Sequence, residues 1–202
     1  MAALGRKRSF GLWPIWVVGE HSSSIQGLLD FRINGGESAV TGSGTLHAFC
    51  GKIASGKSFL ATSIADAPQT ILISEDALVS RLYPGEIATI DDYVRVATRL
   101  RAAIGPHLAA LLRTGLNVVV DFQANTPAAR AWIRSVFEQA GANHELHYLD
   151  VSDEVCKSRL AERNATGAHE YQVSEADFEL FNSYVVPPAS AEGFNVVVHA
   201  KR

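Results

Sequence analysis

The chain has 202 residues, a formal net charge of −3 at neutral pH and a hydrophobic content of 47%. This length and composition suit a single domain with a full apolar core. No apolar run approaches the roughly 20 residues that a membrane-spanning helix needs. The two cysteines, Cys50 and Cys156, lie far apart in the sequence, which argues against a disulfide framework and suits a reducing compartment. We therefore expect a cytoplasmic protein.

The N-terminal part of the chain differs from the rest. Three basic residues at positions 6–8 precede a short apolar stretch that Pro14 interrupts, and a serine- and glycine-rich stretch without a sustained period follows. No small-residue cleavage site of a signal peptide is present. A basic amphipathic anchor is the alternative, but few apolar positions line one face. We expect residues 1–44 to be a poorly ordered tail ahead of a domain spanning residues 45–202.

From Thr45 onward, short apolar runs alternate with longer helical patterns, which is typical of βαβ units and a parallel sheet. The predicted strands are Leu46–Cys50, Thr70–Ser74, Asn117–Asp121, Glu145–Asp150 and Phe194–His199. Helices are predicted to start near Lys57, Asp91, Thr126, Ser152 and Ser174.

Local signals support several of these helices. Thr126 followed by proline predicts an N-cap with proline at the first helical position, and Ser174 with Asp177 predicts a capping box. Gly105 and Pro106 interrupt the segment that starts near Asp91, so that segment is predicted to be either one kinked helix or two helices.

The first predicted strand runs into a loop that fits the pattern G-x-x-x-x-G-K-[ST]. In this pattern backbone N–H groups cradle phosphates, the lysine reaches the outer phosphates and the hydroxyl binds Mg²⁺. A helix that starts at Lys57 adds the positive end of its dipole. An ordinary glycine-rich turn is the alternative, but the sequence favours a nucleoside triphosphate site formed by Gly51, Lys52, Ile53, Ala54, Ser55, Gly56, Lys57 and Ser58.

Acidic residues stand at the ends of two further predicted strands. Glu75 and Asp76 follow the second strand, and Asp121 closes the third. Ligands of open α/β sheets bind beyond the carboxyl ends of the strands. One acid of the pair could therefore accept a proton from an attacking hydroxyl, and Asp121 could hold Mg²⁺. The alternatives are an acid pair that stabilises a helix start and an acid that caps a loop; position alone does not choose between Glu75 and Asp76.

Two arginines lie near the end of the fourth predicted helix. Arg159 and Arg163 are four residues apart on one face, and a loop containing glycine and asparagine follows, which could close as a lid. Two guanidinium groups near the phosphates would stabilise charge on a transferring phosphoryl group. The alternative is that they pair with surface acids such as Glu162.

Together these motifs resemble the P-loop kinase-like ATPases of the zeta-toxin-like or AAA_33 group. That group is similar to chloramphenicol phosphotransferase, gluconate kinase and the kinase half of polynucleotide kinases. The resemblance runs from about Thr45 to His199 and rests on the P-loop, "ISED", "VVVDFQANTPAARAW", "LDVSDEVCKSRLAERN" and "PPASAEGFNVV". It implies an adenylate-kinase-like α/β fold, with a five-stranded parallel sheet of order 2-3-1-4-5 flanked by helices, and ATP and Mg²⁺ as cofactors.

The resemblance also implies roles for individual residues. Asp76, rather than Glu75, matches the general base after strand 2. Arg130 matches an arginine often found after strand 3, near substrate or phosphate, and Arg159 and Arg163 match the lid arginines.

The class of acceptor is less clear from the motifs. Polynucleotide kinases usually carry a second basic residue three positions after the base, and here that position is Val79. The first 19 residues carry a charge of +3, which leaves −6 for the rest of a chain whose total is −3. Surfaces that bind nucleic acid are ordinarily basic. The candidate cations are Arg81, Arg95, Arg99, Arg101, Arg130, Arg159 and Arg163, which suffice for ATP and one small acceptor.

We therefore expect an ATP-dependent kinase that phosphorylates a hydroxyl of a small molecule, with neither a membrane nor a nucleic acid as partner. Two alternatives remain open at this point. One is a polynucleotide 5′-hydroxyl kinase, and the other is a regulatory ATPase module that acts through a partner.

Overall fold

A computed structural model of the chain describes residues 42–87, 89–166 and 174–200, without the side chains of Ile90 and Thr166. The described residues form one five-stranded parallel sheet of order β2-β3-β1-β4-β5, with helices on both faces. Its elements are β1 Thr45–Gly51, α1 Lys57–Ala65, β2 Thr70–Ser74, α2 Glu75–Leu82, α3 Ile90–Arg113, β3 Asn117–Gln123, α4 Pro127–Ala140, β4 Asn143–Asp150, α5 Asp153–Thr166, α6 Glu175–Ser183 and β5 Val196–Ala200. A short 3₁₀ turn, Ser190–Glu192, precedes β5.

The predicted strands and their order are confirmed, with ends that differ by up to two residues. The capping predictions are confirmed as well: Thr126 caps α4, and Ser174 and Asp177 form a capping box on α6. The predicted tail lies outside the described residues apart from positions 42–44, so its boundary stays a prediction. No helix in the described part of the chain is long and apolar enough to span a membrane.

The segment around Gly105 and Pro106 forms one continuous helix, α3, so of the two predicted alternatives the single helix is found and the pair of helices is not. Gly105 faces the indole of Trp132 on α4, where an added Cβ would lie 3.4 Å from Nε1. A Cβ at this position would just touch Trp132, so α3 and α4 are close together at Gly105. A second difference is α2, which the sequence analysis had only as the alternative interpretation of its acid pair.

The two faces of the sheet have separate apolar cores because side chains alternate along each strand. On one face Leu46, Ala48 and Cys50 of β1 pack with α3 and α4. On the other face Phe49 packs with α1, α5 and α6. The strand order puts β1 in the middle of the sheet, and the loop after β1 lies at the carboxyl edge of the sheet.

Arg130 joins α4 to the segment before β5 and is fully buried. Its Nε and Nη2 donate to the carboxylate of Glu192 at 2.6 and 2.8 Å, and its Nη1 donates to the carbonyls of Ala124 and Val186 at 3.0 and 2.9 Å. The hydrogen bonds from Arg130 lower the pKa of Glu192. Four of the five N–H groups of Arg130 therefore donate to partners within the chain.

We predict that Glu192→Ala destabilises the fold by about 3 kcal/mol, because it leaves the buried guanidinium of Arg130 without its carboxylate. The matched control is Glu138→Ala, which removes the acid of the exposed Arg134–Glu138 pair and costs less than about 1 kcal/mol. Urea denaturation of both variants measures the difference. Equal losses would contradict the structural role of the buried pair.

Candidate active site

The loop between β1 and α1 has the backbone shape of a phosphate cradle. Gly51 has φ 151° and Gly56 has φ 105°, both in a region that disfavours side chains, and Ala54 has φ 58°. A Cβ on Gly51 would lie 2.9 Å from the carbonyl of Leu149. Because α1 begins at Lys57, the N–H groups of its first turn have no intrahelical acceptor and are available to an anion.

Two asparagines from distant segments hold this loop by its backbone. The N–H of Gly51 donates to Oδ1 of Asn125, which follows β3, at 2.9 Å. The N–H of Ile53 donates to Oδ1 of Asn182, at the end of α6, at 3.3 Å. Sequence reasoning missed both residues because a single asparagine in a loop or a helix carries no motif. Gly51 and Ile53 thus take their positions from β3 and α6.

Helix α5 holds the same loop from the other side. Nη1 of Arg159 donates to the carbonyl of Ser55 at 3.0 Å. Lys52 forms an ion pair with Asp153, and its Nζ also donates to the carbonyl of Val151 at 3.2 Å. The hydrogen bond to Asp153 raises the pKa of Lys52. Lys52 therefore works as an anchor of the loop, while the backbone of the loop faces the site.

Lys57 lies inside the loop. Its Nζ donates to the carbonyls of Gly51 and Lys52, both at 2.7 Å. Burial lowers the pKa of Lys57 to about 8, although the charges of Asp121 and Asp76 favour its protonated form. Lys57 is therefore a partly buried ammonium group whose desolvation outweighs the attraction of the two carboxylates.

Asp121 lies on β3, which runs two residues further than predicted. Asp121 pairs in register with Ser74, the residue that caps α2, so Asp121 lies beside the start of that helix. The register between β1 and β3 shifts after Ala48, which is where Asp121 and Phe122 are accommodated. Asp121 and Ser58 are hard oxygen donors of the kind that Mg²⁺ prefers.

The structure separates the two acids that the sequence could not distinguish. Glu75 is 1% exposed, and its carboxylate accepts two hydrogen bonds from Arg101, at 2.9 and 3.0 Å, and one from the hydroxyl of Tyr93 at 3.0 Å. Asp76 is exposed, and its charge acts on Lys57 and on Arg163. Glu75 is thus part of the packing between α2 and α3, and Asp76 is an exposed acid within electrostatic reach of Lys57.

The three predicted arginines have different environments. Arg159 touches the loop directly, and Arg163 lies within electrostatic reach of Asp76. Burial lowers the pKa of Arg163. Residues 167–173, which include most of the predicted lid loop, lie outside the described residues. Arg130 is not brought into this group, because its guanidinium is occupied by Glu192 and two carbonyls.

The donor set suits a nucleotide carrying Mg²⁺. Positive φ angles, a helix N-terminus and the ammonium of Lys57 converge on one loop. The hydroxyl of Ser55 is buried in it without a hydrogen-bond partner among the described residues, an arrangement that a bound group or a water would satisfy. Ser58 and Asp121 could hold the metal ion.

A family model identifies the chain. The AAA_33 model, described as an AAA domain, matches residues 46–188. The chain therefore belongs to the AAA_33 family, and its fold is that of a P-loop NTPase. No curated protein matches the chain in sequence.

Several solved structures share the fold at low sequence identity. A proposed kinase from Chloroflexus aurantiacus is 21% identical, with a TM-score of 0.63 over 79% of this chain and 86% of that one. Kti12 from Chaetomium thermophilum, solved with ADP-AlF3, is 16% identical, with a TM-score of 0.57 over 77% and 88%. A gluconokinase from Sinorhizobium meliloti is 22% identical, with a TM-score of 0.51 over 79% and 84%. These similarities establish the architecture.

We predict that Lys57→Ala weakens Mg-ATP binding and abolishes turnover while the fold survives, because Nζ donates to carbonyls of the loop and not to the core. Lys157→Ala, which removes a lysine paired with Glu175 and Glu179, should bind normally. Titration calorimetry with Mg-ATP measures both variants. Unchanged affinity in Lys57→Ala would rule out the loop as the phosphate site.

Proposed function

We propose that the protein is an ATP-dependent kinase that transfers the γ-phosphoryl group of Mg-ATP to a hydroxyl of a small molecule. The observation that carries this proposal is the position of Asp76. Its exposed carboxylate acts electrostatically on the P-loop lysine and on Arg163, while the adjacent Glu75 is buried in its pair with Arg101. A P-loop that only binds nucleotide does not need a carboxylate here; phosphoryl transfer to an alcohol does.

Each residue of the site has a proposed role. The backbone of Gly51–Ser58 and the ammonium of Lys57 bind the phosphates, and Ser58 and Asp121 hold Mg²⁺. Bound Mg²⁺ supplies charge neutralisation at the β- and γ-phosphates. Asp76 accepts the proton from the attacking hydroxyl as the bond to phosphorus forms.

The arginines contribute charge and position. Arg159 and Arg163 are proposed to stabilise the negative charge of the transferring group, and the hydrogen bond from Arg159 to the Ser55 carbonyl supports this role for Arg159. Arg130 is proposed to act as a positioning residue, because it ties Ala124, next to the loop anchor Asn125, to Val186 and Glu192.

A buried network fixes the orientation of Asp76. Because Glu75 accepts from Arg101 and Tyr93, the first turn of α2 cannot rotate without breaking three hydrogen bonds. Burial and the charge of Glu75 raise the pKa of Tyr93, so its hydroxyl remains a donor. Asp76, the next residue, is thereby held on the exposed side of the helix.

The charge distribution supports a small acceptor over a nucleic acid. Of the seven arginines that could serve an acceptor, Arg95, Arg101 and Arg130 pair with Asp92, Glu75 and Glu192. These pairs leave fewer cations to neutralise a phosphate backbone. A cytoplasmic location is part of the proposal, supported by Cys50 and Cys156, which are buried and unlinked in separate cores.

We predict that Asp76→Asn lowers the rate of phosphoryl transfer by roughly a hundredfold or more and leaves Mg-ATP affinity within about threefold, because only proton acceptance is lost. Asp91→Asn is the matched control: Asp91 is also an exposed acid in the first turn of a helix, α3. Glu75→Gln should lower the melting temperature, and it should reduce the transfer rate less than Asp76→Asn does. A larger loss of rate in Glu75→Gln than in Asp76→Asn would contradict the assignment of the base.

We predict that labelled ATP transfers phosphate to a member of a panel of sugars, nucleosides and hydroxylated antibiotics. The same assay with 5′-hydroxyl oligonucleotides, at about 0.05 and 0.2 M salt, should give no end labelling. Efficient, salt-sensitive end labelling would establish the polynucleotide alternative. Slow ATP turnover that no acceptor accelerates would establish the regulatory module.

A further inference from the structure

A group of histidines lies on the sheet away from the P-loop. His47 is on β1, His147 on β4 and His199 on β5, and Glu145 precedes His147 by two residues. In the registers of the sheet His47 pairs with Glu145, and His147 is adjacent to Phe49. All four side chains therefore lie on the face that carries the Phe49 core, and His47 is four residues, or about 13 Å of strand, before Gly51.

Three of these side chains direct ligand atoms at one point. Nδ1 of His47 is 3.2 Å from Nε2 of His147, and Oε2 of Glu145 is 3.4 and 3.6 Å from these two nitrogens. Within the described residues, no other group of three histidine, cysteine, aspartate or glutamate side chains has its ligand atoms all within 4.8 Å of one another.

The size of this triangle matches a zinc site. Around a tetrahedral Zn²⁺ with bonds of about 2.0–2.1 Å, neighbouring ligand atoms are about 3.4 Å apart. The three measured separations bracket that value. Two imidazoles and one carboxylate are also a donor set that suits Zn²⁺ better than Mg²⁺ or Ca²⁺, which take oxygen ligands.

His199 supplies the contact that a metal-binding histidine requires on its other nitrogen. Nδ1 of His147 lies 3.0 Å from Nε2 of His199. If Nδ1 donates its proton there, Nε2 of His147 presents a lone pair to His47 and Glu145. A ligating histidine normally has its second nitrogen fixed in this way.

Hydrogen bonding among neutral histidines is the competing explanation, and Glu145 distinguishes it. Nδ1–H of His47 can donate one hydrogen bond, either to His147 or to Glu145. When His147 carries its proton on Nδ1, the lone pair on its Nε2 still faces an oxygen of Glu145. A dication satisfies all three acceptors at once.

We propose that His47, Glu145 and His147 bind one Zn²⁺ ion, with His199 orienting His147 and the fourth position open to water. The ion would link β1 to β4, and through His199 to the edge strand β5. Because β1 runs directly into the P-loop, the site would stabilise the strand that carries the nucleotide loop without touching nucleotide.

The test is zinc titration of full-length, tag-free protein after treatment with a chelator, in excess Mg²⁺ so that the nucleotide site does not compete. We expect one Zn²⁺ per chain and a melting temperature raised by several degrees. Glu145→Gln and His47→Gln should each abolish both effects. His199→Gln should weaken binding by roughly 10–100-fold.

His107→Gln is the matched control, because His107 is an exposed histidine on α3, outside the cluster. It should bind Zn²⁺ as the unaltered protein does. Circular dichroism checks that each variant is folded; if one is not, the visible spectrum of the Co²⁺-substituted unaltered protein reports whether the ligands are tetrahedral. Absence of stoichiometric binding, a non-tetrahedral spectrum, or equal affinity in folded Glu145→Gln and His47→Gln would overturn the proposal.

Discussion

The P-loop of this protein is shaped by hydrogen bonds that come from outside it. Asn125 after β3, Asn182 at the end of α6 and Arg159 on α5 each hold a different backbone group of the loop. A loop with positive φ angles is costly to order by itself, so its shape depends on these three elements being in place. The consequence is that a change in α5 or α6 reaches the phosphate site directly through Ser55 and Ile53.

A second constraint separates adjacent acids. Consecutive residues of a helix point about 100° apart, so only one of Glu75 and Asp76 can face the core. The buried pair with Arg101 fixes which one does. The fold therefore uses one carboxylate to lock the helix and the next to present a charge at the site, and the cost of burying Glu75 is offset by its three hydrogen bonds.

The sequence was sufficient for the parts of this structure that repeat a general pattern. Strand alternation and local helix signals predicted the five strands and the starts of α1, α3, α4, α5 and α6, and the family resemblance implied the sheet order. The sequence analysis had α2 only as an alternative, because "EDALVSRL" follows β2 with no loop between the strand and the helix. The burial of Arg130 and Glu75 could not be read from the sequence. A charged residue is buried only when a partner neutralises it, and here the partners, Glu192 and Arg101, are distant in the sequence.

As the proposed base, Asp76 would face the γ-phosphate of nucleotide bound at the P-loop. A crystal structure with Mg²⁺ and a non-hydrolysable ATP analogue would show this contact. We expect the Asp76 carboxylate about 6 Å from the γ-phosphorus, which leaves room for one acceptor hydroxyl in line, with Lys57 on the outer phosphates. A carboxylate turned away from the γ-phosphate, with Glu75 released from Arg101 to take its place, would contradict it.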